Sequence, residues 1–301
     1  MASLRSFKIY SGKKILDYRL GEQLNLKEIR IFFQKEYIIK KIWSGPRHVL
    51  GVLAKEDKTY FLKLSTSEGI SIVTKNEYHW NEYFNKHRPK DIPFNVPKNY
   101  DCGIYQDKYF YLITDYLNGI PLGNIAEYIP KIILFSEFIQ NMSGTKSDYQ
   151  EKFLKKARNW FSDIPADVRK KFNIFKLLEI VEKGVNNLSP KVRHGDFAPW
   201  HIIKLSDNKL GLIDGEHFLL NGVENYDICY FIQRVFSVLK NPKLAEDIYA
   251  KLSQRNYHSH KLQVVLAARA IGGFLDESLK NRPDYKLAEG FKDLVLKRVI
   301  R

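Results

Sequence analysis

The chain has 301 residues, 44% of them hydrophobic, which suffices for a substantial buried core in one large or two modest domains. No window approaches the roughly 18 to 20 apolar residues of a membrane span, the charged start MASLRSFKIYSGKK lacks the apolar run of a secretory signal, and the two distant cysteines, Cys102 and Cys229, imply neither a disulfide framework nor a cysteine zinc site. A net charge of +15, from 49 basic and 34 acidic residues, raises nucleic acid, anionic membranes and phosphorylated ligands as partners, but the lysines are scattered, with no arginine-rich arm, RNP-type aromatic motif or metal-finger spacing; a soluble cytoplasmic protein with buried, reduced thiols and no nucleic-acid partner is expected.

In chain order, a short strand is expected around Phe7 to Tyr10 and a turn at Ser11-Gly12, then a short helix in LNLKEIRIFFQK. EYIIKKIW, HVLGVLA and TYFLKLS are β-branched and aromatic runs separated by the turn segments SGPR and KEDK, the pattern of an antiparallel meander. Thr66 or Ser67 can cap a helix over Glu68 to His87, whose Ile70, Val73, Glu77, Trp80 and Phe84 fall on one stripe. A carboxylate on that apolar stripe asks for a buried cation. Strand alternation in TYFLKLS sets Lys63 opposite Tyr60, Leu62 and Leu64, so it lies either on a solvated face or aimed at an anion; Glu77 is a carboxylate it can pair with.

VPKNYDCGIY and KYFYLITDY form another strand pair, closed by the Gly and Pro cluster at Leu117 to Pro121, so the boundary is drawn between a β-rich domain, 1–118, and a helical one, 119–301. Helices are expected near 124–142, 148–162, 166–185, 225–240, 242–254, 259–279 and 284–300, the last capped by Asp284 and presenting Leu287, Phe291, Leu294, Val295 and Val299 on one face. Between them, VRHGDFAPWHIIKL and KLGLID read as a loop and two short strands joined at Ser206-Asp207-Asn208. Asp196 and Asp214 would stand at the two ends of that hairpin, either as turn and cap residues or as a hard-oxygen site suited to magnesium with a general base. Glu216 can reach such a metal through water or simply sit in a solvated turn, and the lone histidines His48 and His217 receive no role.

The order of strand lysine, helix glutamate, linker, HGD and a strand ending in Asp resembles the aminoglycoside phosphotransferase and choline kinase family, over essentially the whole chain after residue 37. The resemblance implies an α+β, two-lobed protein-kinase-like fold: an antiparallel N-terminal sheet with one main helix that binds ATP, and a helical catalytic lobe. It implies an ATP-dependent phosphotransferase acting on an alcohol. Lys63 then resembles the lysine on the α- and β-phosphates, Glu77 its partner, and SGPRH, including Ser44 and Gly45, the loop over the phosphates, although it has one glycine where protein kinases have three. Asp115-Tyr116-Leu117 resembles the hinge that receives adenine, Asp196 the catalytic base, Asp214 the principal magnesium ligand, and Tyr226-Asp227 the YD that opens a helix, with Asp227 structural.

Gly195 replaces the arginine that grips a phosphorylated activation loop in most protein kinases, and only EHFLLNGVEN separates Gly215 from Tyr226, so a small-molecule acceptor is expected rather than a peptide. From residue 120 onward 29 Lys and Arg face 21 Asp and Glu, a net of +8, which favours neutral or anionic acceptors such as sugars, sugar phosphates and nucleoside-like alcohols over polycations. His201 stands where the family has a metal-ligating asparagine. It ligates metal, with Mn²⁺ then suited as well as Mg²⁺; or it hydrogen-bonds without ligating; or it marks a catalytically impaired, nucleotide-binding pseudokinase.

Overall fold

The computed structural model describes residues 4–206, 208–255 and 257–297, so the expectations for Asp207 and Val299 fall outside the described residues. The chain divides into two compact units, one of residues 7–121 and 201–218 and the other of residues 1–6, 122–200 and 219–301. The expected division at 118/119 therefore differs in one respect. The segment 201–218 belongs with the β-rich unit, because Ile202–Leu205 pairs antiparallel with Gly119–Pro121 and with Leu210–Leu212. Those backbone pairings are not visible in the linear pattern.

In the β-rich unit, β1 (Lys8–Ser11) and β2 (Lys14–Asp17) form a hairpin, followed by α1 (Leu26–Phe33), capped by the Asn25 side chain. Then come β3 (Ile38–Ser44), β4 (His48–Lys55), β5 (Lys58–Ser65), α2 (Glu68–His87), β6 (Phe94–Asn95), β7 (Asn99–Tyr105), β8 (Tyr109–Asp115) and β9 (Gly119–Pro121). Five strands make an antiparallel sheet in the order β3-β4-β5-β8-β7, so the expected meander is present and the second strand pair extends it. Alternation in β5 sends Tyr60, Leu62 and Leu64 into a core with Ile29 and Phe33 of α1 and Leu53 of β4. The opposite face is also covered. There α2 buries Ile70, Val73, Glu77, Trp80 and Phe84, the expected stripe, and its N-terminus is capped by Ser67, whose Oγ accepts the Ile70 amide at 3.3 Å. Cys102 is exposed, contrary to expectation, whereas Cys229 is buried.

The helical unit contains α3 (Ile125–Gln140), α4 (Tyr149–Asp163), α5 (Ala166–Lys171), α6 (Phe175–Gly184), α7 (Tyr226–Ser237), α8 (Pro242–Ser253), α9 (Ser259–Ser278) and α10 (Lys286–Lys297). One long helix was expected over 166–185. It is split because Asn173 takes φ +49°, a left-handed conformation that cannot continue a right-handed helix. Helix α9 is buried from Leu262 to Leu275 on nearly all sides and packs against α4, α6, α7 and α10. A short strand pair, Pro190–Arg193 with Leu219–Val223, accompanies the helices. No helix among the described residues is long and apolar enough to cross a membrane.

Candidate functional site

In the β-rich unit the chemistry gathers around Lys63. Its position at the centre of β5, paired with Leu50 and Leu112, puts the side chain on the sheet face covered by α2, where it is 9% exposed. The Nζ lies 2.6 Å from Glu77 Oε2, 2.6 Å from Asp214 Oδ1 and 2.7 Å from Glu216 Oε1. Lys63 is thus aimed at anions, and Glu77 is one of three carboxylates it meets. Burial alone would lower the lysine's pKa, but Asp214, Glu216 and Glu77 hold it well above the ordinary value, so the ammonium is permanent.

The three carboxylates respond differently. Burial raises Glu77 to about 7 against the opposing pull of Lys63, helped by the neighbouring charges of Asp214 and Glu216. Burial also works on Asp214, but Lys63 outweighs it and lowers that carboxyl. Glu216 goes well below its usual range, because burial is overcome by Lys63, His48 and Arg47. Arg47 Nη2 is 2.6 Å from Glu216 Oε2, and His48 Nε2 is 3.1 Å from Oε1. His48 also contacts Thr74 Oγ1 at 3.0 Å, and burial lowers its pKa, favouring the neutral ring. Glu216 is therefore a buried anchor, 3% exposed, rather than a solvated turn residue. The signal that could have found it is the pair Arg47-His48, which needs a carboxylate partner from elsewhere in the chain.

Asp214 sits at φ +66°, so the turn after Leu210–Leu212 is made by the aspartate itself. Gly215 has another reason to be glycine, since a Cβ there would run into the Trp80 indole. Asn76 on α2 fixes the following segment by donating from Nδ2 to the carbonyls of Glu216 at 2.9 Å and Phe218 at 2.8 Å. His201 Nε2 lies 3.3 Å from Asp214 Oδ2, the oxygen that Lys63 does not take.

These residues border a cavity of about 410 Å³ within the β-rich unit. Leu50, Phe61, Ile203 and Ile213 give it apolar walls, Asp115, Tyr116 and Leu117 line it as expected, and Lys63, His201 and Asp214 supply its polar groups. The Leu117 amide has no hydrogen-bond partner among the described residues, unlike those of Asp115 and Tyr116, which bond Lys98 O and Thr59 O. The lining does not include Ser44 or Gly45: the Gly45 amide closes the β3–β4 turn onto His48 O at 2.7 Å, and Arg47 and His48 are the turn residues in the lining. Oxygens of Glu77, Asp214 and Glu216 lie within 4.8 Å of one another, a set that can hold a metal ion. Of the three side chains, Asp214 is the most exposed, at 29%, and carboxylate oxygens are hard donors of the kind magnesium takes.

Asp196 belongs to the helical unit, and its loop is held from beneath by Asp227. The Asp227 carboxylate accepts the amides of His194 and Gly195, both at 2.8 Å, and Gly195 takes φ +86°, which glycine adopts without strain. Burial raises the Asp227 pKa to about 6, against the two amides and Arg193. Phe197 is fully buried against Phe135 and Phe231. Packing and backbone bonds thus fix both sides of Asp196, and burial together with the Asp196 charge raises the Tyr230 phenol above its ordinary pKa.

Protein-family models and curated proteins give no match to the sequence. Solved structures do match. A thermostable mutant of aminoglycoside phosphotransferase APH(4)-Ia, in ternary complex with ADP and hygromycin B, is 11% identical with a TM-score of 0.68, over 91% of this chain and 98% of that one. Choline kinase LicA from Streptococcus pneumoniae is 15% identical with a TM-score of 0.56, over 91% and 98% of the two chains. Spectinomycin phosphotransferase APH(9)-Ia, in complex with ADP and spectinomycin, is 13% identical with a TM-score of 0.56, over 92% and 98%. The likeness establishes the fold, which is the two-lobed protein-kinase-like fold of the group the motifs resemble.

Proposed function

We propose, from that shared fold, that the protein transfers the γ-phosphoryl group of ATP to a hydroxyl of a small molecule, sugar-like, nucleoside-like or an amino alcohol. The observation that supports this most is the Lys63–Glu77 ion pair bordering the same cavity as Asp214. Structural neighbours named as small-molecule phosphotransferases add to it.

In this reading the apolar walls take the adenine and the free Leu117 amide donates to its edge. The turn 44–48 covers the phosphates. Lys63, always charged, donates to the α- and β-phosphate oxygens while Glu77 holds it in place, and Arg47 and His48 keep Glu216 from competing for it. Asp214, with His201 as a nitrogen donor, would hold magnesium or manganese. That metal, when bound, neutralises charge on the phosphates. Asp196 accepts the proton of the acceptor hydroxyl as its oxygen attacks the γ-phosphorus and the bond from that phosphorus to the β-phosphate oxygen breaks, releasing ADP, and Asp227 positions the Asp196 loop. Catalysis of this kind is mainly positioning and charge neutralisation, so a fixed lysine and two fixed carboxylates are its chief requirements.

A second reading, nucleotide binding without transfer, is favoured by one observation, the approach of His201 to the remaining Asp214 oxygen. Thermal shift with ATP and either Mg²⁺ or Mn²⁺, followed by an acceptor panel, separates the two. Transfer lost in Asp196→Ala with ATP binding kept supports the enzyme; ATP binding with no product from any acceptor supports the alternative. Absence of ATP binding refutes both.

A further inference from the structure

Among the described residues, Lys156, Arg193 and Arg269 of the helical unit make no ion pair with a carboxylate. Arg193 ends the strand Pro190–Arg193, Lys156 lies on α4 and Arg269 on α9. The Arg193 guanidinium lies 3.9 Å from the centroid of the Tyr226 ring. Arg269 lies 4.4 Å from Tyr230, 4.9 Å from Trp160 and 5.9 Å from Tyr226, and donates from Nη1 to the Tyr226 hydroxyl at 3.3 Å. Lys156 Nζ lies 5.2 Å from the Trp160 centroid. One aromatic stack thus gathers all three.

Neighbouring cations of the same unit are paired: Arg234 with Asp276 at 2.7 Å, Lys261 with Glu224 at 2.8 Å and Arg255 with Glu137 at 2.8 Å. Among the described residues Lys156, Arg193 and Arg269 have no such ion pair, although Arg193 is 6% and Arg269 3% exposed, and the Nε of each arginine is buried without a hydrogen-bond partner. Ring faces return less free energy than burying an unpaired charge costs. The neighbours register the excess. Burial would raise the Tyr226 phenol, yet Arg269, Lys156 and Arg193 pull it down to about 8. Burial and the two arginines together push Lys156 down to about 8.

The cluster adjoins Asp196. Tyr230 is stacked under Arg269, and the Asp196 charge acts on both Tyr230 and Lys156. Lys156 and Asp196 are only partly buried, whereas Arg193 and Arg269 are buried.

We propose that Lys156, Arg193 and Arg269 bind an anionic group, carboxylate or phosphate ester, carried by the acceptor whose hydroxyl is presented to Asp196. This rests on the reading of Asp196 as the base. It makes the acceptor a hydroxylated anion and sets the site against cationic alcohols, which would meet like charge.

Isothermal titration of the full chain with inorganic phosphate, acetate and choline tests the anion site without nucleotide or turnover. Saturable binding of phosphate or acetate is expected, the tighter of the two naming the group, with none for choline. Lys156→Gln should weaken the anion by about tenfold or more, as removal of one close charge partner does; Lys156→Arg should restore it. Lys183→Gln, at an exposed lysine of the same unit, should leave it within about twofold. Circular dichroism checks that each variant is folded. No saturable anion binding by the wild type, or binding unchanged in folded Lys156→Gln, overturns the proposal and leaves a purely structural cation stack. Anion binding as expected with no phosphoryl transfer to any alcohol instead removes the kinase reading and leaves the anion site standing.

Discussion

Replacing Lys63 by methionine removes the one cation shared by Glu77, Asp214 and Glu216, whose oxygens lie within 4.8 Å of one another. Arg47 and His48 reach only Glu216. Stripping the cation from buried carboxylates costs about 3 to 5 kcal/mol when the charges cannot adjust. Here one of them can. Glu77 titrates at about 7 with Lys63 present and must titrate higher without it, so below that pH it keeps a proton and softens the loss. Above it, folded wild type releases a proton that the folded variant retains, and the variant's stability falls relative to wild type by about 1.4 kcal/mol per pH unit. Between about pH 7 and about pH 8.5 the destabilisation should therefore grow by about 2 kcal/mol. Urea unfolding at both pH values reads this, followed by tryptophan fluorescence, since Trp80 is fully buried on the stripe that holds Glu77. A variant as stable as wild type, or a loss of equal size at both pH values, would refute the reasoning.

Gly215→Ala should cost about 1 to 3 kcal/mol in urea unfolding, because its Cβ meets the Trp80 ring; an unchanged midpoint would show that the indole moves aside freely. Asp227→Ala should cost about 1 to 3 kcal/mol for each of the two amides it leaves buried, and should reduce transfer by displacing the Asp196 loop, as read by unfolding and by kcat. Asp227 is raised from 3.8 to about 6, so its contribution to stability is full below the lower value and declines by about 3 kcal/mol as pH rises through the higher. Asp227→Asn should flatten that decline, seen by comparing urea midpoints at about pH 4 and about pH 7. His201→Asn should shift the metal preference of transfer from manganese toward magnesium; an unchanged ratio would mean that His201 holds no metal.

The parts of the site that local pattern determines were legible in the sequence. Strand alternation gave the face of Lys63, helical spacing put Glu77 on a buried stripe, and the end of an apolar strand marked Asp214. The fate of Glu216 was not legible, because Arg47 Nη2 and Glu216 Oε2 are joined across 169 positions of sequence. The same holds for the segment 201–218, whose membership of the β-rich unit is decided by backbone pairing to Gly119–Pro121 and by a two-residue parallel pairing of β6 with Leu210–Leu212. Gly215 illustrates a third kind of limit. Its neighbour to Asp214 suggested a turn, but the left-handed residue is the aspartate, and the glycine answers to an indole contributed by α2. The cations of the helical unit were counted in the sequence as a net charge. Which of them lack carboxylates emerges only from packing.

Transfer of a labelled γ-phosphate from ATP to a panel of small alcohols, neutral, anionic and cationic, by wild type and Asp196→Ala tests the central claim most directly. The account predicts a labelled product with at least one acceptor, lost in Asp196→Ala while ATP still binds. Labelled product formed equally well by Asp196→Ala, or no product from any acceptor by a wild type that binds ATP, would contradict it.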